Sequence, residues 1–210
     1  ASSVQLFWGM ILFGLQIFSD FHGYSLIAIG ASRLLGIELM HNFNSPYSSH
    51  SIQEFWTRWH ISLSTWFRDY VFIPLGGSRV SASRLALNIL IVFAVSGLWH
   101  GANWTFVAWG VMHGAAYLIE KLNPFRKQTQ SWIRGTHWMI TMAVVFVAWV
   151  FFRSDSVASA SQYLTSMMSS KSNGIELNWN PMLVSFLGLF ILSDRVFKFG
   201  DIHEWLQNQS

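Results

Sequence analysis

The chain has 210 residues, of which 52% are hydrophobic, 17% aromatic and only 11% charged, against about a quarter charged in an ordinary soluble domain. It holds no cysteine, which excludes a disulfide framework, a thiolate metal site and a cysteine nucleophile. The formal net charge is +3 and basic residues stand singly or in short groups such as Arg126-Lys127, so there is no dense basic tract for nucleic acid.

Twelve Trp and eighteen Phe are too many for a soluble core of this size, and such rings collect where apolar and wet zones meet. Mean hydropathy is positive but moderate, at +0.35, so polar or interfacial segments must separate the apolar runs. The expected fold is all-α: a polytopic integral membrane bundle, with residues 1–210 as a single membrane domain. The chain lacks an initial Met, and no basic stretch precedes the first apolar run. That run is not read as a signal peptide, and the chain is expected to begin inside a longer protein.

Residues 4–18 are apolar apart from Gln5 and Gln16. A span needs about 20 such residues, so this is a short span or one continuing through Asp20 and His22, which neighbouring protein must then satisfy. Residues 20–36 form a second apolar stretch punctuated by glycine, residues 37–50 turn polar, and NFNSPY (42–47) reads as a loop. SIQE (51–54) has the pattern of a capping box, Ser51 accepting from the Glu54 amide while Glu54 reaches back.

At about 100° per residue, Ile52, Phe55, Trp56, Trp59, Leu63, Trp66, Phe67 and Tyr70 share one stripe. Beside it, Gln53, Thr57, His60, Ser64 and Arg68 form a polar ridge, with Glu54, Arg58 and Asp69 on the far side. So many charges suit an amphipathic helix lying at the interface, or re-entering against other helices, better than a lipid-facing span. Pro74 and Gly76-Gly77 end it.

Residues 85–99 are apolar apart from Asn88 and Ser96, stop at His100-Gly101-Ala102-Asn103, and resume over 104–119 with His113 inside. Each half is short for a span. The pattern predicts a helix, a break at membrane depth and a second helix, which is tolerated where the break is buried in protein or lines a wet cavity. Gly110 and Gly114 form a small-xxx-small packing face. Residues 121–134 read as a polar loop, cytoplasmic by Lys121, Arg126, Lys127 and Arg134. Residues 138–152 are the cleanest span, ended by Arg153, and 154–170 a small polar-faced helix. Residues 171–180 read as a loop, Asn180-Pro181 as a cap and first helical position, and 182–192 as the last apolar run.

His60, in the polar ridge, and His100, at the helix break, are the candidate chemical groups. Imidazole titrates near pH 6.5 (roughly), which suits proton transfer, and an ionisable residue inside a membrane is a functional candidate by default. The competing reading for each is a hydrogen-bonded packing histidine. His113 reads as a packing or supporting residue, and His22, His41, His50, His137 and His203 as loop or helix-end residues. No HExxH and no i,i+4 histidine pair occurs, and Asp69 is the one carboxylate within residues 55–70 around His60, so no metal site is expected. No GxSxG elbow and no glycine-rich phosphate loop is present.

FWTRWHISLSTWFRDY (55–70) with IPLGG (73–77) resembles the signature region of the membrane-bound O-acyltransferase family, in particular its bacterial alginate O-acetylation members. SGLWHGANWTFVAWGVMHG (96–114) is similar to the family's second signature, and NFNSPY and FVAWVFFRSDS (146–156) match accompanying stretches. The resemblance covers residues 20–168 or so and implies the C-terminal part of such a protein. It places the family's invariant histidine on His100 and its second important histidine on His60. It implies a helical bundle around a buried tunnel in the bacterial inner membrane. An acyl thioester such as acetyl-CoA would arrive from the cytoplasmic side, and no permanent cofactor is expected. The hydroxyl acceptor would come from the other side, an exopolysaccharide or an extracytoplasmic acyl-relay protein, with lipid around the whole.

In that chemistry His100 is the general base and His60 orients the acceptor or steadies charge. Asn103 and backbone amides after His100 are candidate oxyanion donors. Arg68 holds a phosphate or carboxylate, or pairs with a neighbouring acid, while Trp59 and Trp99 pack the site. DFHGYSLIAIG (20–30) has His22 and Leu26 where the alginate type carries Ser and Asp, and Leu26 is nearer the D-alanine-transfer type acting on teichoic acid. The rival from another class is a helical channel or transporter using both histidines as relay contacts.

Overall fold

The computed structural model describes residues 2–122 and 130–169; the centre of the 121–134 loop and the elements expected beyond 170 lie outside them. The described residues form seven α-helices with a 3₁₀ turn and a π turn: α1 (Ser3–Leu34), the 3₁₀ turn Pro46–Ser48, α2 (Ile52–Arg58), α3 (Ile61–Phe67), the π turn Arg68–Phe72, α4 (Ala82–His100), α5 (Trp104–Leu122), α6 (Ser131–Arg153) and α7 (Val157–Met168). Three of these, α1, α4 and α6, are long and apolar enough to cross a membrane.

α1 is one continuous helix of 32 residues running through Asp20 and His22. Ser2 and Gln5 cap it reciprocally, the Ser2 side chain accepting from the Gln5 amide while the Gln5 side chain accepts from the Ser2 amide. His22 meets neighbouring protein as expected, its ring stacked 5.5 Å from Phe43 and edge-on to Phe18 at 5.1 Å.

The helix expected across residues 51–70 is broken. α2 stops at Arg58, and α3 starts at Ile61 after His60, whose φ of 45° and ψ of 54° are left-handed. The segment before the 3₁₀ turn causes the break. Asn44 donates to the Arg58 carbonyl and the Ile61 amide donates to the Asn42 carbonyl, both at 3.0 Å, pairing Phe43 with Trp59 as a one-residue antiparallel bridge. The backbone groups freed by interrupting a helix therefore find partners on this strap. The strap is fixed in turn: Tyr47 donates its hydroxyl to the Gly14 carbonyl, Trp138 Nε1 donates to the Tyr47 carbonyl, and Tyr47 stacks on Phe146 at 5.4 Å.

The expected capping box forms only in half. Ser51 accepts from the Glu54 amide at 2.9 Å, but the Glu54 carboxylate accepts from the amide of His50 at 2.8 Å and pairs with Arg58 at 2.7 Å. The cation one turn along α2 and a better-placed amide hold it away from Ser51. The α2 start is also tied to α5, the Ile52 amide donating to Glu120.

α4 and α5 form the broken pair anticipated around His100. Their axes approach through glycine: a Cβ at Gly97 would overlap the Phe106 carbonyl, and one at Gly110 the Phe93 carbonyl. Gly110→Val is expected to destabilise by about 1–3 kcal/mol through overpacking, whereas Gly135→Ala, with open space around its Cβ position, changes stability by at most about 1 kcal/mol in the favourable direction; thermal unfolding in detergent compares the two. Asn88, fully buried in the apolar α4, is served by a loop, its Nδ2 donating to the Leu75 carbonyl at 3.0 Å. α6 begins at Ser131, inside the expected polar loop, and ends at Arg153 as anticipated. α7 is capped by Ser156 accepting from the Ser159 amide. The core where α1, the strap, α2, α5 and α6 meet is built on Phe18, Phe43, Phe55, Trp59, Trp109, Val145 and Trp149.

Candidate active site

The two candidate histidines line one cavity of about 520 Å³, walled by α1, the α2–α3 break, the α4–α5 break and α6. His60 reaches it because of the left-handed turn. Gln53, Thr57, Ser64 and Arg68, the other members of the ridge on which a continuous helix would place it, line a separate cavity of about 420 Å³. The break moves His60 out of that row and into the cavity of His100. His60 is 9% exposed, its ring set edge-on to Phe21 at 4.6 Å and 6.2 Å from Trp99.

His100 closes the C-terminus of α4, where Gly101 is extended with φ 168°. Aromatic edges hold its ring: Trp99 at 4.9 Å, Trp109 at 5.2 Å and Phe152 at 5.1 Å. Phe106 stands at 6.4 Å, pressed so close to Gly101 that a Cβ there would strike its ring. Trp59 and Trp99 line the cavity as well. Trp59 is buried in the core, and Trp99, 58% exposed, stands at the open side.

Asn103 and Arg68 are not brought into the cavity. Asn103 serves the fold: its Oδ1 accepts from the Thr105 amide at 3.1 Å, capping α5, and its Nδ2 donates to the Asp155 carbonyl at 2.9 Å. Arg68 pairs with Asp69 on the surface, Nε to Oδ1 at 2.7 Å, and this hydrogen bond holds the Asp69 carboxyl below the usual carboxylate range. His113 is fully buried in an aromatic box, stacked on Phe55 at 6.0 Å and edge-on to Trp56 at 5.1 Å and Trp109 at 5.2 Å.

Among the cavity residues not singled out from sequence are three polar ones of α1, Gln16, Asp20 and Tyr24. The signal is present as polar side chains at i, i+4 and i+8 in an otherwise apolar helix, one face of a 3.6-residue period. They add polar groups, one of them a carboxylate, to a lining that is otherwise largely aromatic. Among the described residues no group of three His, Cys, Asp or Glu side chains converges as a metal set. The arrangement can hold a polar acceptor beside two imidazoles in a largely aromatic lining.

The chain is 43% identical over 161 residues to the probable alginate O-acetylase of Azotobacter vinelandii, covering 77% of this chain and 32% of that protein. It is 39% identical over 178 residues to the peptidoglycan O-acetyltransferase of Helicobacter pylori (84% and 33% covered). It is 34% identical over 185 residues to the teichoic acid D-alanyltransferase of Streptococcus thermophilus (85% and 39% covered). The chain thus spans about a third of the length of these relatives. The profile of the membrane-bound O-acyltransferase family matches residues 1–161, both histidine signatures included. The chain is an integral membrane protein and belongs to the membrane-bound O-acyltransferase family.

Proposed function

We propose that this chain carries the histidine centre of a multi-pass inner-membrane O-acyltransferase. The enzyme moves an acyl group from a thioester such as acetyl-CoA to a hydroxyl of a cell-envelope polysaccharide, or to a protein relaying acyl groups to one. His100 takes the hydroxyl proton as the oxygen attacks the thioester carbonyl carbon. The carbon–sulfur bond breaks as the tetrahedral oxyanion collapses, and the imidazolium returns its proton to the departing sulfur. His60 steadies the developing charge or orients the acceptor, a role worth most in a water-poor site. Trp59 and Trp99 shape the passage. The observation that supports this reading is that His60 and His100 line one cavity.

Mass spectrometry of envelope polymers from cells with and without the intact gene tests it: O-linked acyl esters are expected to disappear with the gene, and unchanged esters would overturn the reading. The same spectra separate acetyl esters from D-alanyl esters. The D-alanyl reading has one residue in its favour, Leu26 in place of an acidic residue on α1.

A further inference from the structure

We infer that Asn42 is the positioning residue that sends His60 into the cavity of His100; the inference rests on the role given to His60 above. Asn42 stands at the crossing of three elements. Its carbonyl accepts from the Ile61 amide at 3.0 Å, immediately after the left-handed residue. Its side-chain Oδ1 accepts twice from Ser62, from the amide at 3.1 Å and from the hydroxyl at 2.6 Å. Its Nδ2 donates to Ser25 Oγ of α1 at 3.3 Å.

His60 offers no side-chain cap to α3, so Asn42 supplies from the strap the acceptor that an N-cap residue ordinarily carries. It serves the first two amides of α3 and anchors them to α1. A non-glycine residue held left-handed persists only where its surroundings over-determine it, and these bonds are the local restraint. Removing the Asn42 side chain leaves the backbone bond to Ile61 but frees the Ser62 amide and the tie to Ser25, and the Ser62 amide regains a partner when α2 joins α3 as one helix. The 3.6-residue period then returns His60 to the ridge of Gln53, Thr57, Ser64 and Arg68, facing the other cavity. The polar side chain in NFNSPY thus decides which of two cavities receives the imidazole.

The test uses the intact protein in membranes, with its other cysteines removed, and two reporter pairs: cysteines at 60 and 20, which line the cavity of His100, and at 60 and 89, where Ile89 lines the other cavity. With Asn42 present, a short bifunctional thiol reagent is expected to join 60 to 20 and not to 89. Asn42→Ala is expected to shift the cross-link to 89 and, with His60 in place, to lower kcat by about 10²-fold, the scale of an ångström-sized misplacement. Asn42→Asp keeps the accepting oxygen and is expected to keep both the 60–20 link and most of the activity, so the inference is tested even if the alanine variant does not accumulate. Persistence of the 60–20 link in Asn42→Ala, or its loss in Asn42→Asp, would overturn the inference. A cross-link that shifts in a protein whose activity ignores His60→Ala would leave the positioning standing and sink the role assigned to His60.

Discussion

His100→Ala in the intact protein is expected to lower acyl transfer by about 10²–10⁴-fold, the usual range for removing a general acid–base group, while leaving the protein in the membrane and folded. The structure separates these outcomes. The His100 ring borders an open cavity and is steadied by aromatic edges. Truncation enlarges an existing space and makes no sealed void in the core, so the cavity penalty of a large-to-small change is mostly avoided. His100 also follows the last apolar turn of α4, and its loss leaves the Gly97–Phe106 contact between α4 and α5 intact. Transfer measured with a labelled thioester, beside the thermal midpoint in detergent, reads both quantities. Near-normal transfer with an unchanged midpoint would remove His100 from the chemistry.

His60→Gly is expected to abolish most transfer yet stay within about 1 kcal/mol of the parent in stability, because glycine adopts the left-handed conformation without the roughly 1–2 kcal/mol that an L side chain costs there. That relief offsets the packing lost against Phe21 and Trp99. His60→Val is expected to be the worse protein, since a β-branched side chain at positive φ is a severe outlier. The pair divides backbone from ring: glycine keeps the turn and removes the imidazole, whereas valine removes the imidazole and opposes the turn. Chemical unfolding midpoints and initial transfer rates measured together check it. A glycine variant with full transfer would show that the turn matters and the ring does not.

Much of this architecture was legible in local sequence. The apolar run across 138–152 needed only its length, and α6 covers it. The break at His100 was visible because a polar His-Gly-Ala-Asn tetrad cuts an apolar stretch, and glycine at 110 and 114 marked the close approach of α4 and α5. The break at His60 was not legible. Residues 52–70 carry an unbroken amphipathic period with no Gly or Pro inside it, and what interrupts it lies elsewhere in the chain, in Asn42, Phe43 and Asn44. A long-range backbone pairing leaves no mark on local periodicity.

The same blind spot governed the site. The signatures supplied His60 and His100, while Asp20 entered the reading only as a polar residue to be satisfied, because which helix faces a cavity is a property of packing. Asn103 looked like an oxyanion donor by type and nearness in sequence, and Arg68 was open between holding an anion and pairing with a neighbouring acid. Asn103 instead caps α5 and ties it to the turn before α7, and Arg68 pairs with Asp69 on the surface.

A double-substitution cycle on His60→Ala and His100→Ala, with initial transfer rates from thioester to acceptor in the intact protein, asks whether the two imidazoles serve one reacting centre. Groups acting as a unit are strongly non-additive, so the double variant is expected to be no slower than the worse single variant. Losses that multiply, or a His60→Ala variant as fast as the parent, would contradict a shared centre at the cavity between α1 and the two helix breaks.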